Sequence, residues 1–169
     1  MREAAKNLSR WDAPTVLVAH ADRTVRALVA HGLRQQSCAV EEAGDGAKAI
    51  QRLSSRMLRT GRPFDGVVLH HDLRGWSGLQ LLDGLRGSDW HAPTIFLVDT
   101  GDVRTAVAAR RRGADAIIEW PLDMRDVRSA MIEVFALERQ SGVYSTATMD
   151  GARNGSRGHS GQRKEGPSG

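Results

Sequence analysis

The stretch from Asp65 to Arg86 reads DGVVLHHDLRGWSGLQLLDGLR and holds one complete strand–loop–helix unit. Its run GVVLH (Gly66–His70) is apolar almost throughout, which is typical of a strand that is covered on both faces. After a short loop, the apolar residues of Gly78–Arg86 recur with a spacing near 3.6, which predicts an amphipathic helix. A buried strand followed by a helix is the repeating unit of a parallel sheet.

The same alternation continues on both sides of this unit. Five apolar runs alternate with five helix-like segments, so βαβ crossovers build a parallel sheet with helices on both faces. Asp22, Asp45, Asp102 and Asp123 precede four of the helical segments and can cap them. The predicted strands are Thr15–Ala19, Cys38–Ala43, Gly66–His70, Thr94–Val98 and Asp115–Glu119, and the predicted helices are Arg23–Gln36, Gly46–Arg59, Gly78–Arg86, Val103–Arg112 and Met124–Glu138.

The length of 169 residues suits one domain with loosely ordered ends. We expect a leader at residues 1–13, one domain at residues 14–140 and a disordered Gly-, Ser- and Arg-rich tail at residues 141–169. From Gly151 onward no apolar residue is larger than Ala, so this sequence cannot offset the entropy cost of ordering. The lone Cys38 cannot form an internal disulfide, and the charged N-terminus lacks the apolar core of a secretory signal. The chain is therefore expected to be cytoplasmic.

The charge balance argues against two classes of partner. The formal net charge is only +4, which does not suit a dedicated nucleic-acid binder. Two acids stand among the six charges of the tail, which favours a solvating tail or a linker over a surface for nucleic acid or membrane. No nucleophile–base pair, phosphate-binding glycine loop or metal motif occurs at a suitable spacing, so neither an enzyme nor a cofactor is predicted.

Five blocks of the sequence, in this order and at this spacing, resemble the receiver domain of two-component response regulators. The resemblance spans Pro14 to Leu137 and implies a flavodoxin-like, doubly wound α/β fold with a five-stranded parallel sheet in the order 2-1-3-4-5. The blocks are VLVAHADRTVR (Val16–Arg26), EEAGDGAKAI (Glu41–Ile50), DGVVLHHDLRGWSGLQLLDGLR (Asp65–Arg86), APTIFLVD (Ala92–Asp99) and RRGADAIIEWPLDMRDV (Arg111–Val127).

The resemblance fails at the positions that carry the family's chemistry. In the family, two acids follow the first strand, a phosphorylatable Asp ends the third, a Thr or Ser ends the fourth, and a Lys precedes a proline after the fifth. In this chain the acidic pair falls on His20 and Ala21, the phosphoacceptor on His70, the Thr or Ser on Val98, the Lys on Trp120, and the proline of the turn after the third strand on Arg74.

These replacements remove each part of phosphoryl transfer. A His-Ala pair supplies none of the oxygen ligands that Mg²⁺ prefers, and the His70 imidazole cannot form an acyl phosphate. Val98 has no hydroxyl to hydrogen-bond a phosphoryl oxygen, and Trp120 has no ammonium group to neutralise it. We therefore predict a stand-alone degenerate receiver, with no catalytic residue, that acts in one constitutive shape as a phosphorylation-independent protein interaction module.

Two alternatives use other residues of the same pocket. In the order 2-1-3-4-5, His20 and His70 face each other at the carboxyl ends of neighbouring strands, where they can bind a metal or a small molecule. Asp22, His71, Asp72 and Asp99 are expected in neighbouring loops. The simpler interpretation is that both histidines only fill the former acidic pocket, hydrogen-bonded to a neighbour and covered by the Trp120 indole. A phosphorelay protein would instead use Asp72, because Asp22 is better suited to cap a helix.

The resemblance also implies a partner surface. In the family, the face of the fourth helix, fifth strand and fifth helix is where receivers dimerise or meet partners, so we expect a signalling kinase, another regulator or a second copy there. The run Arg110–Arg112 can equally be a solvated helix end. Arg74, Trp76 and Trp90 either form a basic aromatic patch at the pocket mouth or pack onto the helix below. The predicted face holds Arg104, Val107, Arg111, Trp120, Asp123, Arg125, Arg128 and Met131.

Overall fold

The computed structural model describes residues 13–88 and 92–141, with side chains up to residue 134. Most of the predicted leader, Trp90 and almost all of the predicted tail lie outside the described residues. Within these ranges no helix has the length and apolar character needed to cross a membrane. The elements are β1 (Thr15–Ala19), α1 (Arg23–Arg34), β2 (Ala39–Ala43), α2 (Gly46–Thr60), β3 (Gly66–His70), α3 (Gly78–Gly87), β4 (Thr94–Asp99), α4 (Val103–Arg111), β5 (Ala116–Trp120) and α5 (Met124–Ser141).

The strands form one parallel sheet in the order β2-β1-β3-β4-β5. The predicted α/β architecture and strand order are therefore confirmed. After β1 the chain adds β2 on one side of it and then crosses back to add β3 on the other side. A crevice opens at the carboxyl ends of β1 and β3, where the strand order changes direction.

Two apolar layers hold the helices against the sheet. Successive strand residues point to opposite faces of the sheet. Because both faces are covered by apolar layers, β3 is buried along its whole length. One layer lies beneath α2, α3 and α4, and the other lies beneath α1 and α5. The first layer contains Leu17, Leu53, Leu69, Leu82, Phe96 and Ala109, and the second contains Val16, Val29, Val68, Leu97, Val127 and Met131.

Nine of the twenty predicted element boundaries differ from the observed ones, by one to three residues. Helix α1 ends at Arg34, two residues before the predicted Gln36, because the backbone then turns through Ser37 with a φ of 61°. The Cys38 N–H donates to the Leu33 carbonyl, so Cys38 closes this helix and does not begin β2. Strands β4 and β5 each extend one residue further than predicted, to Asp99 and Trp120.

Helix capping follows the predicted aspartates and adds one further residue. The carboxylates of Asp22, Asp45 and Asp102 accept backbone N–H groups in the first turns of α1, α2 and α4. Asp123 accepts the N–H of Arg125 at the start of α5 in the same way. Helix α3 is capped by Ser77, whose hydroxyl accepts the Gln80 N–H while the Gln80 side chain accepts the Ser77 N–H. This capping box was not predicted.

Candidate functional site

The crevice at the carboxyl ends of β1 and β3 is filled by two histidines. His20 follows β1 directly and His70 is the last residue of β3, and the register pairs Ala19 with Leu69 just before them. Their rings stack with centroids 4.1 Å apart and planes at 29°. Each residue is only 7% exposed. The structure thus brings together the two histidines that the sequence places at the former acidic pair and acceptor.

Backbone groups two residues further along the chain contact Nδ1 of both rings. The Asp22 N–H donates to Nδ1 of His20 at 3.0 Å, and the Asp72 N–H donates to Nδ1 of His70 at 3.3 Å. A neutral imidazole that accepts at Nδ1 carries its proton on Nε2. His20 is therefore held in the Nε2–H form. Nδ1 of His70 lies near both the N–H and the carbonyl oxygen of Asp72, at 3.3 and 3.4 Å, so either neutral form of that ring has a partner.

Burial keeps the pair uncharged at neutral pH. The pKa of His20 is lowered from its ordinary 6.5 to about 4, mainly by loss of hydration on burial and next by the nearby His70. Burial is also the main cause that lowers the pKa of His70, followed by the neighbouring His71. Two neutral rings can stack without charge repulsion, so the pocket is a packed aromatic site rather than an acidic one.

A second group of side chains surrounds the outer edge of His70. The His71 ring centroid lies 4.4 Å from that of His70. Nε2 of His71 lies 3.1 Å from Oδ2 of Asp99, and Nε2 of His70 lies 3.6 Å from Oδ1 of the same carboxylate. The hydrogen bond from His71 is the main cause that lowers the pKa of Asp99. Asp99 was expected in a loop but is the last residue of β4.

The remaining predicted pocket residues do not meet the histidines through polar groups. Ala21 is exposed beside His20, and Val98 is fully buried in the apolar layer beneath α4. Trp120 pairs with Asp99 in the β4–β5 register, and its carbonyl accepts the Thr100 hydroxyl. Among the described residues no ring stacking joins Trp120 to either histidine.

The two other candidate acids are placed differently. The Asp22 carboxylate caps α1, accepting the N–H groups of Thr24 and Val25 at 2.6 and 3.1 Å. Asp72 is exposed in the loop after β3. Of the three candidate acids Asp22, Asp72 and Asp99, it is Asp99 whose carboxylate contacts His70.

Arg26 belongs to the rim of the pocket and was not predicted. Its guanidinium donates to the His20 carbonyl at 2.7 Å and pairs with Glu42 of β2 at 3.5 Å. This side chain ties the β1–α1 loop to the neighbouring strand. The available signal was an arginine in the first turn of α1, but one sequence does not show where such a long side chain reaches.

The loop between β3 and α3 packs closely because of two glycines. A Cβ on Gly78 would lie 2.2 Å from the His70 carbonyl oxygen, and one on Gly46 would lie 2.5 Å from Cβ of Trp76. The Gly46 N–H also donates to the Arg74 carbonyl at 3.0 Å. The backbone of this loop therefore packs onto the start of α2, while the Arg74 and Trp76 side chains stay exposed.

The predicted partner face is divided by the edge strand β5. Helix α4 packs on one side of the sheet and α5 on the other. Met131 was predicted wrongly, because it lies on the core side of α5 and is buried in the apolar layer with α1. Trp120 ends β5 and is half-buried. Asp123 pairs with Arg125 at 2.6 Å. The exposed members are Arg104, Val107, Arg111, Asp123, Arg125 and Arg128.

The cations of this face differ in their pairing. Within the described residues, Arg104, Arg111 and Arg128 make no ion pair, whereas Arg112 pairs with Asp83 of α3 at 3.3 Å. Arg125 and Arg128 also line a groove between α1 and α5 with Leu28 and Ile132, which the sequence did not predict. The face therefore combines free positive charge with exposed apolar side chains.

The sequence profile of the response regulator receiver domain matches residues 16–132. The chain belongs to this family. The receiver is 31% identical over 129 residues to "Probable transcriptional regulatory protein TcrX" of Mycobacterium tuberculosis, covering 76% of this chain and 51% of TcrX. It is 28% identical to NtrX from Brucella abortus, with a TM-score of 0.66, covering 77% of this chain and 29% of NtrX. A CheY-like receiver domain protein from Methanospirillum hungatei has a TM-score of 0.68 at 18% identity, covering 78% of this chain and 100% of that protein.

These similarities define the receiver at a coarse level. The chain is a receiver domain of two-component signalling, and the similarity to the Methanospirillum protein shows the fold alone. The receiver spans about half the length of the curated relatives it matches.

Proposed function

We propose that this receiver accepts no phosphoryl group and acts through protein contacts made in one constitutive conformation. The observation that supports this most strongly is His70, which ends β3 at the position of the family's acceptor. Its ring is buried and stacked on His20 at 4.1 Å. A carboxylate that could form an acyl phosphate is therefore replaced by a packed aromatic pair.

The cation that the reaction needs also lacks ligands in this pocket. Phosphoryl transfer to a carboxylate relies on a hard divalent ion held by oxygen atoms. His20 and Ala21 offer none from their side chains, and the Asp22 carboxylate caps α1, with Oδ1 accepting two helix N–H groups. Asp72 is exposed in the loop after β3 and does not occupy the acceptor position at the end of that strand. A phosphorelay through Asp72 is therefore the weaker proposal. We expect neither a catalytic residue nor a cofactor for phosphoryl transfer.

The path by which phosphate would change the shape of the domain is likewise altered. Val98 is fully buried and apolar, and Trp120 stands where a lysine would reach the phosphate. A ligand shifts a conformational equilibrium only through contacts that differ between the two states. Val98 provides no hydroxyl and Trp120 no cation for a phosphoryl group, which favours a single signalling conformation.

The partner surface is proposed to be the exposed part of α4, β5 and α5. This surface carries the exposed Val107 together with Arg104, Arg111 and Arg128, which make no ion pair within the described residues, a combination that suits a protein partner with acidic and apolar side chains. A signalling kinase, another regulator or a second copy of the receiver can supply that surface. The free Cys38 thiol is in keeping with a reducing compartment such as the cytoplasm.

Photo-crosslinking in the native host tests this proposal. A benzoylphenylalanine at position 107 is expected to give a discrete crosslinked adduct, because Val107 lies inside the proposed surface. The same group in place of Leu58, which is 89% exposed on α2, is the matched control and is expected to give none. The yield is expected to be unchanged after treatment of the extract with acetyl phosphate.

Two outcomes would contradict the proposal. Equal adducts at positions 58 and 107 would mean that the α4–β5–α5 face is not selective. An adduct at position 107 that forms only after acetyl phosphate treatment would mean that partner binding depends on phosphorylation.

A further inference from the structure

We propose that His70, His71 and Asp99 form a binding site for a borderline transition-metal ion such as Zn²⁺. Each of the three residues offers one ligand atom, and these atoms all lie within 4.8 Å of one another. The sequence suggested a different pair, His20 and His70, but His20 is not part of this group. The inference does not depend on how the receiver meets its partners.

The spacing of the donor atoms suits one ion. Nε2 of His71 lies 3.1 Å from Oδ2 of Asp99, and Nε2 of His70 lies 3.6 Å from Oδ1. Two ligands bound at about 2.0–2.1 Å to a tetrahedral ion stand roughly 3.4 Å apart. The two contacts to Asp99 are already close to this distance, and no two of the three donor atoms lie more than 4.8 Å apart.

The surroundings of His70 supply the hydrogen bond that a metal-bound imidazole needs. Nδ1 of His70 faces both the N–H of Asp72, at 3.3 Å, and the Asp72 carbonyl oxygen, at 3.4 Å. When Nε2 binds an ion, the ring proton moves to Nδ1, where it can donate to that carbonyl. Histidine ligands commonly donate their second N–H to a backbone carbonyl in this way. His71 must shift its proton in the same way, from the Nε2 that donates to Asp99 onto Nδ1, so both rings stay neutral and no proton is released.

The ligand types and their exposure indicate the class of ion. Two imidazole nitrogens and one carboxylate favour Zn²⁺, Ni²⁺ or Cu²⁺ over Mg²⁺ and Ca²⁺. The Asp99 side chain is 61% exposed, so an ion can enter from solvent and keep water in its open position. His70 is buried and stacked on His20, which holds one ligand in place before the ion arrives.

The site also lies beside the proposed partner surface. The Asp99 carbonyl accepts the N–H of Asp102, and the Asp102 carboxylate caps α4. Helix α4 carries Arg104 and Val107. An ion bound by the Asp99 carboxylate would therefore be held by the same residue whose carbonyl accepts the N–H of Asp102, the cap of α4.

Calorimetric titration of the untagged, full chain with ZnCl₂ tests the site. We expect one saturable site in the native protein. Removing a ligand by His71→Ala or Asp99→Asn is expected to weaken Zn²⁺ binding at least about tenfold. Both residues are partly or largely exposed, so these variants should fold. The matched control is His31→Ala, on the exposed surface of α1, which is expected to leave the affinity unchanged.

His20→Phe separates the proposed ligands from the pair that the sequence suggested. It keeps an aromatic ring against His70 and is expected to hold the Zn²⁺ affinity within about threefold, since His20 is not a ligand. With Co²⁺ in place of Zn²⁺, visible absorption bands typical of a four-coordinate ion should appear and be absent in Asp99→Asn.

Three results would overturn the proposal. They are the absence of saturable Zn²⁺ binding to the native chain, unchanged binding in both His71→Ala and Asp99→Asn, and loss of binding in His20→Phe while His71→Ala still binds.

Discussion

Gly78→Ala is expected to destabilise the receiver by about 3 kcal/mol, the upper range for overpacking at a rigid contact. The new Cβ would lie 2.2 Å from the His70 carbonyl oxygen, 2.9 Å from its carbonyl carbon and 3.1 Å from Cα of His71. All three are backbone atoms of the segment that carries the histidine cluster, so they cannot rotate away as a flexible side chain would. Urea unfolding should show a lower midpoint with an unchanged slope.

Gly84→Ala is the matched control, because it lies in the same helix α3 with no atom within 4 Å of the added Cβ. Alanine favours helices over glycine by about 0.5–1 kcal/mol, so this variant should be neutral or slightly more stable. Equal stability of the two variants would contradict the close packing of α3 against the end of β3.

Acidification from about pH 6.5 to pH 4 is expected to reduce the free energy of unfolding by roughly 3 kcal/mol through His20 alone. The pKa of His20 is about 4 in the folded receiver, against 6.5 ordinarily. Between these values the unfolded chain binds a proton that the folded chain excludes, so stability is present above this window and falls as the pH falls through it. The lowered pKa of His70 adds to the effect in the same direction.

Unfolding of His20→Phe at several pH values isolates this contribution. Phenylalanine can retain the ring stack on His70 but does not titrate, so the dependence of stability on pH between 4 and 6.5 should become clearly shallower. His31→Gln, a change at an exposed histidine on α1, should keep the native pH dependence. A slope in His20→Phe equal to that of the native chain would mean that His20 is not held neutral by burial.

The fold could be predicted from sequence because its signals repeat along the whole chain. Strand runs such as Gly66–His70 are apolar on both faces, and polar residues such as Asp22 and Asp45 begin the helices between them. Strand order then placed His20 opposite His70, since the carboxyl ends of neighbouring parallel strands meet at one edge.

The rest of the site depends on single-residue offsets and on the reach of long side chains. β4 and β5 pair for one residue more than the sequence predicted, through Asp99 and Trp120. This extra pair puts Asp99 at the end of β4, where its carboxylate contacts His71. Met131 and its exposed neighbours on α5 differ only in the side of the helix they occupy. Arg26 contacts His20 through a side chain whose direction no local pattern determines.

The most direct test of the central claim is an amide NMR spectrum of the receiver before and after addition of Mg²⁺ with beryllofluoride, a phosphoryl mimic. A receiver that retains its acceptor aspartate serves as the positive control in the same buffer. We predict that the amide signals of His20, His70 and Val98 stay in place while the control responds. Saturable shifts of these three signals would show that the pocket still takes a phosphoryl group, and would contradict the proposal that this receiver acts without phosphorylation.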